Sequence, residues 1–270
     1  MRAFRVKVPA ADEDLAVAAL WEAGTTGIEM RPAPVGLVEL LGYFPESVTA
    51  EALSAALPGA AVETTAVPDV DWVARFREGF SPLRAGRFLI APAWQAPAPA
   101  ADVLLVDPGR AFGTGTHETT RLCLSALERL AQRRRLGRTL DLGSGTALLA
   151  IAATRLGALP VVASDIDPEA TSASRAHARL NSTRLGVVRA DGAAAFRSGS
   201  FDVVLANLMA PLLVERSAEI RRLIAPGGAL VLSGLLIPDL PAVRPAYSAC
   251  GAAAELVDGE WAALVYEDVG

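Results

Sequence analysis

The sequence predicts an α/β protein with a mostly parallel sheet, preceded by a small α+β domain. From residue 103 onward, short apolar strand patterns alternate with helical patterns, which is typical of a parallel sheet covered by helices on both faces. One of these strands runs directly into a glycine-rich turn that opens a helix. The last two strand patterns are joined by Asp258-Gly259, a hairpin signal that predicts an antiparallel strand at or near the end of the sheet.

The first 66 residues carry the pattern of a separate domain. Residues 2–8 alternate like a half-buried strand, and residues 12–23 have apolar side chains at helical spacing. Further strand, strand, helix and strand patterns follow at 27–30, 35–44, 47–57 and 61–67. The order β-α-β-β-α-β predicts a ferredoxin-like domain at residues 1–66.

A connector and a larger domain follow. Residues 67–85 contain the amphipathic run DWVARFREGF between two prolines and predict a helical linker. The larger domain is expected at residues 86–270. His177 is expected to be exposed to solvent on the Ala- and Arg-rich face of one of its helices. Its helices are predicted at 146–156, 168–180 and 211–223.

Composition argues against several classes of function. The chain has 270 residues, with 25 Lys plus Arg against 30 Asp plus Glu, so it lacks the cationic surface that stable nucleic-acid or anionic-lipid binding needs. Lys7 is the one lysine, which argues against a P-loop kinase or NTPase. Cys123 and Cys250, with two histidines, are too few and too scattered for a zinc site or a disulfide framework. We expect a metal-free monomer in the cytoplasm, without a targeting segment or membrane span.

A candidate cofactor site lies at the glycine-rich turn. The run DLGSG at 141–145 opens a helix, the place where α/β folds bind adenosine-containing cofactors. An NAD site would need a third glycine where the chain has Leu148, and Asp141 would repel a pyrophosphate. The same carboxylate suits the sulfonium and ammonium groups of S-adenosylmethionine, which is therefore the favoured cofactor.

Acidic residues end two further strands. Asp165 lies 22 residues after Gly143, close to the spacing at which a carboxylate accepts hydrogen bonds from both ribose hydroxyls. Asp167 precedes Pro168 and is expected to cap the following helix. Asp191 either accepts from an adenine amino group or lies in a turn, and the sequence leaves both alternatives open.

The next strand places Asn207 at its carboxyl end, where open α/β sheets hold the reacting groups. Its amide oxygen and the Leu208 carbonyl would both accept from an amine and aim the lone pair of that amine at a methyl group. Asn207 is therefore the candidate catalytic residue. Met209 stands where an aromatic residue would indicate a stacking wall, so a nucleobase substrate is disfavoured.

The most specific stretch is VDPGRAFGTGTHETT at 106–120. Phe112 and the glycines around it suit a lid that covers an adenosine and excludes water. A plain helix cap explains Thr119 or Thr120, but not the rest of the segment.

These motifs resemble the PrmA family of methyltransferases, which act on ribosomal protein L11 of the large subunit. The resemblance covers nearly the whole chain and rests on DPGRAFGTGTHETTRLCL, DLGSGT followed by LLAIAA, DIDPEA, FDVVLANLMAPL and LSGLL. It implies a Rossmann-like class I methyltransferase sheet of seven strands, S-adenosylmethionine as cofactor, and an N-terminal domain that binds the ribosomal protein. It also implies methylation of lysine side chains and of the N-terminal amine.

By the same resemblance, Thr120, Gly143, Asp165 and Asn207 would bind the cofactor beneath Phe112. The full set of candidate cofactor-binding residues is Phe112, Thr120, Asp141, Gly143, Gly145, Asp165, Asp191 and Asn207. The chain departs from the family at Ala147, where a third glycine is usual, and we expect cofactor binding to survive this change.

Three alternatives stay open at this point. One is a methyltransferase of the same fold with another protein or a nucleic acid as substrate. Another is a non-catalytic assembly factor that senses S-adenosylmethionine. The third is a nucleotide-dependent oxidoreductase, which Asp141 and Leu148 disfavour.

Overall fold

The computed structural model describes residues 2–31, 33–34, 36–65, 81–95, 100, 102–107 and 117–270. The chain divides into two compact units, residues 1–78 and 79–270. Most of the helical linker predicted at 67–85 lies outside the described residues. Its last part is wrong as a helix, because Leu83–Ala85 is a strand that pairs with Phe88–Ile90 in a tight antiparallel hairpin.

The N-terminal unit is a four-stranded antiparallel sheet with two helices. Its elements are β1 (Arg2–Pro9), α1 (Glu13–Glu22), β2 (Gly27–Arg31), β3 (Leu37–Phe44), α2 (Ala50–Ala56) and β4 (Ala61–Thr65). The strand order is β2-β3-β1-β4, and all three neighbouring pairs are antiparallel. This is the ferredoxin-like arrangement that the sequence predicts. Phe4 and Phe44 meet edge to face, with ring centroids 5.7 Å apart, in a core that also contains Leu20 and Leu53.

The larger unit alternates strands and helices. Its elements are β5 (Leu83–Ala85), β6 (Phe88–Pro92), β7 (Val103–Val106), α3 (Glu118–Arg133), β8 (Thr139–Leu142), α4 (Leu148–Arg155), β9 (Val161–Asp165), α5 (Pro168–Leu180), β10 (Gly186–Arg189), β11 (Phe201–Asn207), α6 (Ala210–Glu215), α7 (Ser217–Arg222), β12 (Ile224–Leu236), α8 (Leu240–Ala246), β13 (Ala253–Asp258) and β14 (Trp261–Val269). The single helix predicted at 211–223 is in fact two short helices that meet at Arg216.

Seven strands form the main sheet, in the order β10-β9-β8-β11-β12-β14-β13. The first five are parallel, whereas β14 runs antiparallel to both of its neighbours. The antiparallel strand is therefore present as predicted, one position in from the edge. Because the five parallel strands end at the same side, their carboxyl-terminal residues meet there.

Both faces of this sheet are covered. Along β11, Val203 and Leu205 pack in one buried cluster, and Val204 and Ala206 pack in another on the opposite face. A strand that is apolar on both sides is typical of a parallel sheet between two helical layers. Among the described residues, no helix is long and apolar enough to cross a bilayer.

His177 is buried, with 4% of its surface exposed, so the expectation of a solvated histidine is wrong. Its Nε2 accepts the Asp107 N–H at 3.1 Å, and its Nδ1 lies 2.9 Å from the Ala173 carbonyl oxygen. One helical turn further, Asn181 accepts the Leu105 N–H through Oδ1 and donates to the Leu105 carbonyl through Nδ2, both at 2.8 Å. These two side chains attach β7 to α5.

We expect Asn181→Ala to lower the free energy of unfolding by about 2 kcal/mol, because it leaves both backbone polar groups of Leu105 without partners. Chemical denaturation measures this difference. Ser182→Ala, at the exposed neighbouring position, serves as the control and should change the free energy by less than about 0.5 kcal/mol. Equal stability of the two variants would contradict the role assigned to Asn181.

Candidate active site

A cleft of about 520 Å³ opens at the carboxyl ends of the parallel strands. Five of the predicted site residues line it, namely Gly143, Gly145, Asp165, Asp191 and Asn207. A smaller inner pocket shares several of these residues and adds the predicted residues Thr120 and Asp141. Phe112, the eighth predicted residue, lies outside the described part of the chain.

Two glycines in the loop between β8 and α4 adopt backbone angles that favour glycine, and one of them also has no room for a side chain. Gly143 and Gly145 have φ angles of 72° and 52°, which favour glycine. A Cβ atom on Gly143 would also collide with the Leu208 side chain. The N–H groups of Gly143 and Ser144 donate to the Ser164 carbonyl at 2.8 and 3.0 Å, so the loop is fixed against the end of β9.

Ala147, the departure from the family pattern, adopts the left-handed conformation that a glycine would favour. Its φ is 61° and it is fully buried. An alanine in this region costs about 1–2 kcal/mol. The Ala147 N–H still donates to the Ser144 carbonyl at 2.7 Å, so the loop keeps its turn and the substitution is accommodated as strain.

Asp141 is almost completely buried beneath the loop, with 1% of its surface exposed. Its Oδ2 accepts the Ala150 N–H at 3.0 Å and so satisfies a donor in the first turn of α4. Burial raises the pKa of this carboxyl to about 7; the Ala150 hydrogen bond lowers it, and the nearby Asp165 charge raises it further. A cation in the inner pocket would favour the ionised form of Asp141.

Asp165 is held in place by two backbone donors. Its Oδ2 accepts the Gly145 N–H at 2.9 Å, and its Oδ1 accepts the Asp167 N–H at 3.0 Å. Each carboxylate oxygen has a further lone pair, so a fixed Asp165 can still accept from two hydroxyls. Asp167 caps α5 as predicted, with its Oδ1 accepting the Glu169 N–H at 2.8 Å.

Asp191 has a partner that sequence patterns did not indicate. Its Oδ1 lies 2.8 Å from Nη1 of Arg216, which also approaches Glu219 at 3.7 Å. All three residues line the cleft. The apolar spacing of residues 211–223 predicts one continuous helix and so does not indicate Arg216, which lies at the break between α6 and α7.

Asn207, the last residue of β11, lies beneath the first turn of α3. Its Nδ2 donates to Thr119 Oγ1 at 3.2 Å, across 88 positions in sequence. The cap of this helix is His117 rather than either threonine, since His117 Nδ1 accepts the Thr119 N–H at 3.4 Å. Thr120 instead lines the inner pocket together with Asp141. Thr119 and His117 were not among the predicted site residues.

The described residues contain no group of three or more His, Cys, Asp or Glu side chains placed to hold a metal ion. The charged groups that line the two pockets are mainly carboxylates, with Arg216 as the cation at the Asp191 end. This arrangement suits an organic ligand that carries positive charge close to Asp141.

The raised pKa of Asp141 predicts a specific pH dependence of stability. Burial disfavours the ionised form of Asp141 in the folded chain but not in the unfolded chain. Below about pH 4 the carboxyl is protonated in both states, so the folded chain keeps its full stability. As the pH rises through about 7, this stability is lost. Relative to wild type, Asp141→Asn should therefore gain about 2–4 kcal/mol of unfolding free energy between about pH 4 and pH 7. Denaturant titrations without cofactor measure it, and identical pH profiles would show that Asp141 does not titrate in this range.

The family model described as "Ribosomal protein L11 methyltransferase (PrmA)" matches residues 35–268. A ribosomal protein L11 methyltransferase of Geobacter sulfurreducens is 44% identical over 218 residues, which cover 79% of this chain and 71% of the relative. The ribosomal protein L11 methyltransferase of Rhizobium leguminosarum bv. trifolii is 39% identical over 206 residues, which cover 73% of this chain and 70% of the relative.

Two solved structures are similar to the chain. The crystal structure of ribosomal protein L11 methylase from Lactobacillus delbrueckii subsp. bulgaricus has a TM-score of 0.61 and 27% identity, over 70% of this chain and 98% of that chain. The Thermus thermophilus 16S rRNA N2 G1207 methyltransferase, in complex with AdoMet and guanosine, has a TM-score of 0.51 and 17% identity. The match covers 98% of this chain and 64% of that chain, and the similarity is one of fold alone. The family match over residues 35–268 and the Geobacter sulfurreducens relative at 44% identity show that the chain belongs to the PrmA family of ribosomal protein L11 methyltransferases.

Proposed function

We propose that the chain transfers methyl groups from S-adenosylmethionine to lysine and N-terminal amines of ribosomal protein L11, and that the cleft beside the glycine-rich loop binds the cofactor. The observation that carries this proposal is the meeting of Asp141, Asp165 and Asn207 around that loop. A volume of about 520 Å³ is within the range of cofactor pockets.

The residues of the cleft fit the parts of the cofactor. Asp165, fixed by two N–H donors, accepts from the two ribose hydroxyls. Asp191, paired with Arg216, would be the residue of the cleft that faces the adenine. Asp141 and Thr120 line the inner pocket, where a positively charged amino acid moiety would keep Asp141 ionised.

When bound, S-adenosylmethionine supplies a methyl group on a positively charged sulfur. Asn207 accepts an N–H of the target amine through its Oδ1, and the Leu208 carbonyl accepts a second one, so the lone pair points at the methyl group. A lysine amine has an ordinary pKa of about 10.4 and must lose a proton first. Desolvation lowers the pKa of this amine, and the proton passes to bulk water as the amine enters the site.

We propose that the N-terminal unit, which contains the ferredoxin-like domain predicted at residues 1–66, binds the ribosomal protein. It has a hydrophobic core of its own. It also exposes large apolar side chains, among them Leu15, Trp21 and Met30, which are 72%, 55% and 61% exposed. These side chains are available for contact with a protein partner.

Asp165→Ala should weaken S-adenosylmethionine binding by about 1.5–3 kcal/mol, because two ribose hydroxyls lose their charged acceptor. Titration calorimetry measures the change. Glu169→Ala, which removes an exposed carboxylate outside the residues that line the cleft, is the matched control. An unchanged dissociation constant in folded Asp165→Ala would remove Asp165 from the ribose site.

The proposed reaction predicts that the chain transfers label from S-adenosylmethionine to purified ribosomal protein L11, and that Asn207→Ala loses most of this turnover while it keeps most of its cofactor affinity. Label incorporation and calorimetry measure the two effects separately. Cofactor binding without label transfer by the wild-type chain would favour the assembly-factor alternative. Label on other components of an extract, but not on ribosomal protein L11, would favour another substrate.

A further inference from the structure

We propose that Thr119 and His117 are positioning residues that fix which way the Asn207 amide faces, so that its oxygen and not its NH2 group meets the target amine. This inference rests on the role proposed above for Asn207. It concerns three side chains from two distant parts of the chain, which form one continuous line of hydrogen bonds.

The direction of the amide decides whether methyl transfer is possible. A neutral amine has N–H groups to donate and one lone pair, which must remain free to attack the methyl group. The amide oxygen accepts an N–H and leaves that lone pair free, whereas a rotated amide would offer N–H donors that bind the lone pair. Two nearly isosteric orientations of Asn207 therefore have opposite effects on the reaction.

His117 determines which atom donates and which accepts in these hydrogen bonds. Its Nδ1 accepts the Thr119 N–H at 3.4 Å as the cap of α3, so this nitrogen presents a lone pair. Thr119 Oγ1 lies 2.9 Å from the same nitrogen. We assign the tautomer with this lone pair, in which the Thr119 hydroxyl is the donor; a proton on Nδ1, which would face Glu118 Oε2 at 3.9 Å, would reverse the direction of this contact.

The same hydroxyl then orients Asn207. Thr119 Oγ1 has a single proton, which it gives to His117, so towards Asn207 it can only accept. The group of Asn207 at 3.2 Å from Thr119 Oγ1 must therefore be the NH2 group. The amide oxygen is left for the cleft, which Asn207 lines.

Neighbouring elements hold this line of contacts in place. The Ser233 hydroxyl donates to the Thr119 carbonyl at 3.2 Å, and Ser233 lies opposite Asn207 in the register of β11 and β12. The Trp261 ring packs edge to face on His117, with centroids 4.7 Å apart. Thr119 is only 2% exposed, so bulk water does not compete for its hydroxyl.

The test compares Thr119→Val, which removes the hydroxyl at nearly constant volume, with Thr119→Ser, which keeps it, both in the full-length chain. We expect Thr119→Val to lower kcat about ten- to a hundredfold, while KM for ribosomal protein L11 and Kd for S-adenosylmethionine change less than about threefold. Thr119→Ser should recover kcat to within about threefold of wild type. If Thr119→Val fails to fold, Thr119→Ala takes its place with the same expectation.

Three results would overturn the inference. They are a wild-type kcat in Thr119→Val, an equal loss of kcat in Thr119→Ser, and a loss of cofactor affinity in Thr119→Val as large as its loss of kcat. Asn207→Ala, measured in parallel, separates this inference from its basis. If Asn207→Ala is inactive and Thr119→Val is fully active, only the positioning role is wrong; if Asn207→Ala is fully active, the role of Asn207 fails and the inference fails with it.

Discussion

The parallel pairing of β9, β8 and β11 is the constraint on which the site depends. The register pairs Leu142 with Ser164 on one side and with Ala206 on the other, so the three strands end at nearly the same level. The residues that follow, Gly143, Asp165 and Asn207, then meet at one edge. None of these strands contains a site by itself; the site exists because parallel strands must end together.

The inner pocket and the cleft, which share Gly143, Gly145 and Asn207, differ in their electrostatics. In the inner pocket, Asp141 is buried and its pKa is raised, so its negative charge is incomplete until a cation compensates for it. In the cleft, Asp191 is more than half exposed and already paired with Arg216. A ligand with a cationic part and a neutral, hydrogen-bonding part would therefore place its cationic part in the inner pocket.

Features that depend on local pattern could be predicted from the sequence. The alternation of strands and helices indicated the parallel sheet, and the positions of Asp165 and Asn207 at strand ends placed them in the cleft. Features that depend on distant contacts could not. The Asn207–Thr119 bond joins residues 88 apart and the His177–Asp107 bond joins residues 70 apart, and no periodicity in a single segment encodes either. Arg216 was hidden by a helix break that apolar spacing does not reveal.

The place of β14 links the pairing of the main sheet to the surroundings of the site. β14 follows all other strands of the main sheet in sequence, yet it lies between β12 and β13. Without β14, one edge of β12 and the whole of β13 would have no partner in the sheet. The first residue of β14, Trp261, is the one that packs on His117. The strand that joins β12 to β13 thus also supplies the ring that packs on His117, the cap of α3.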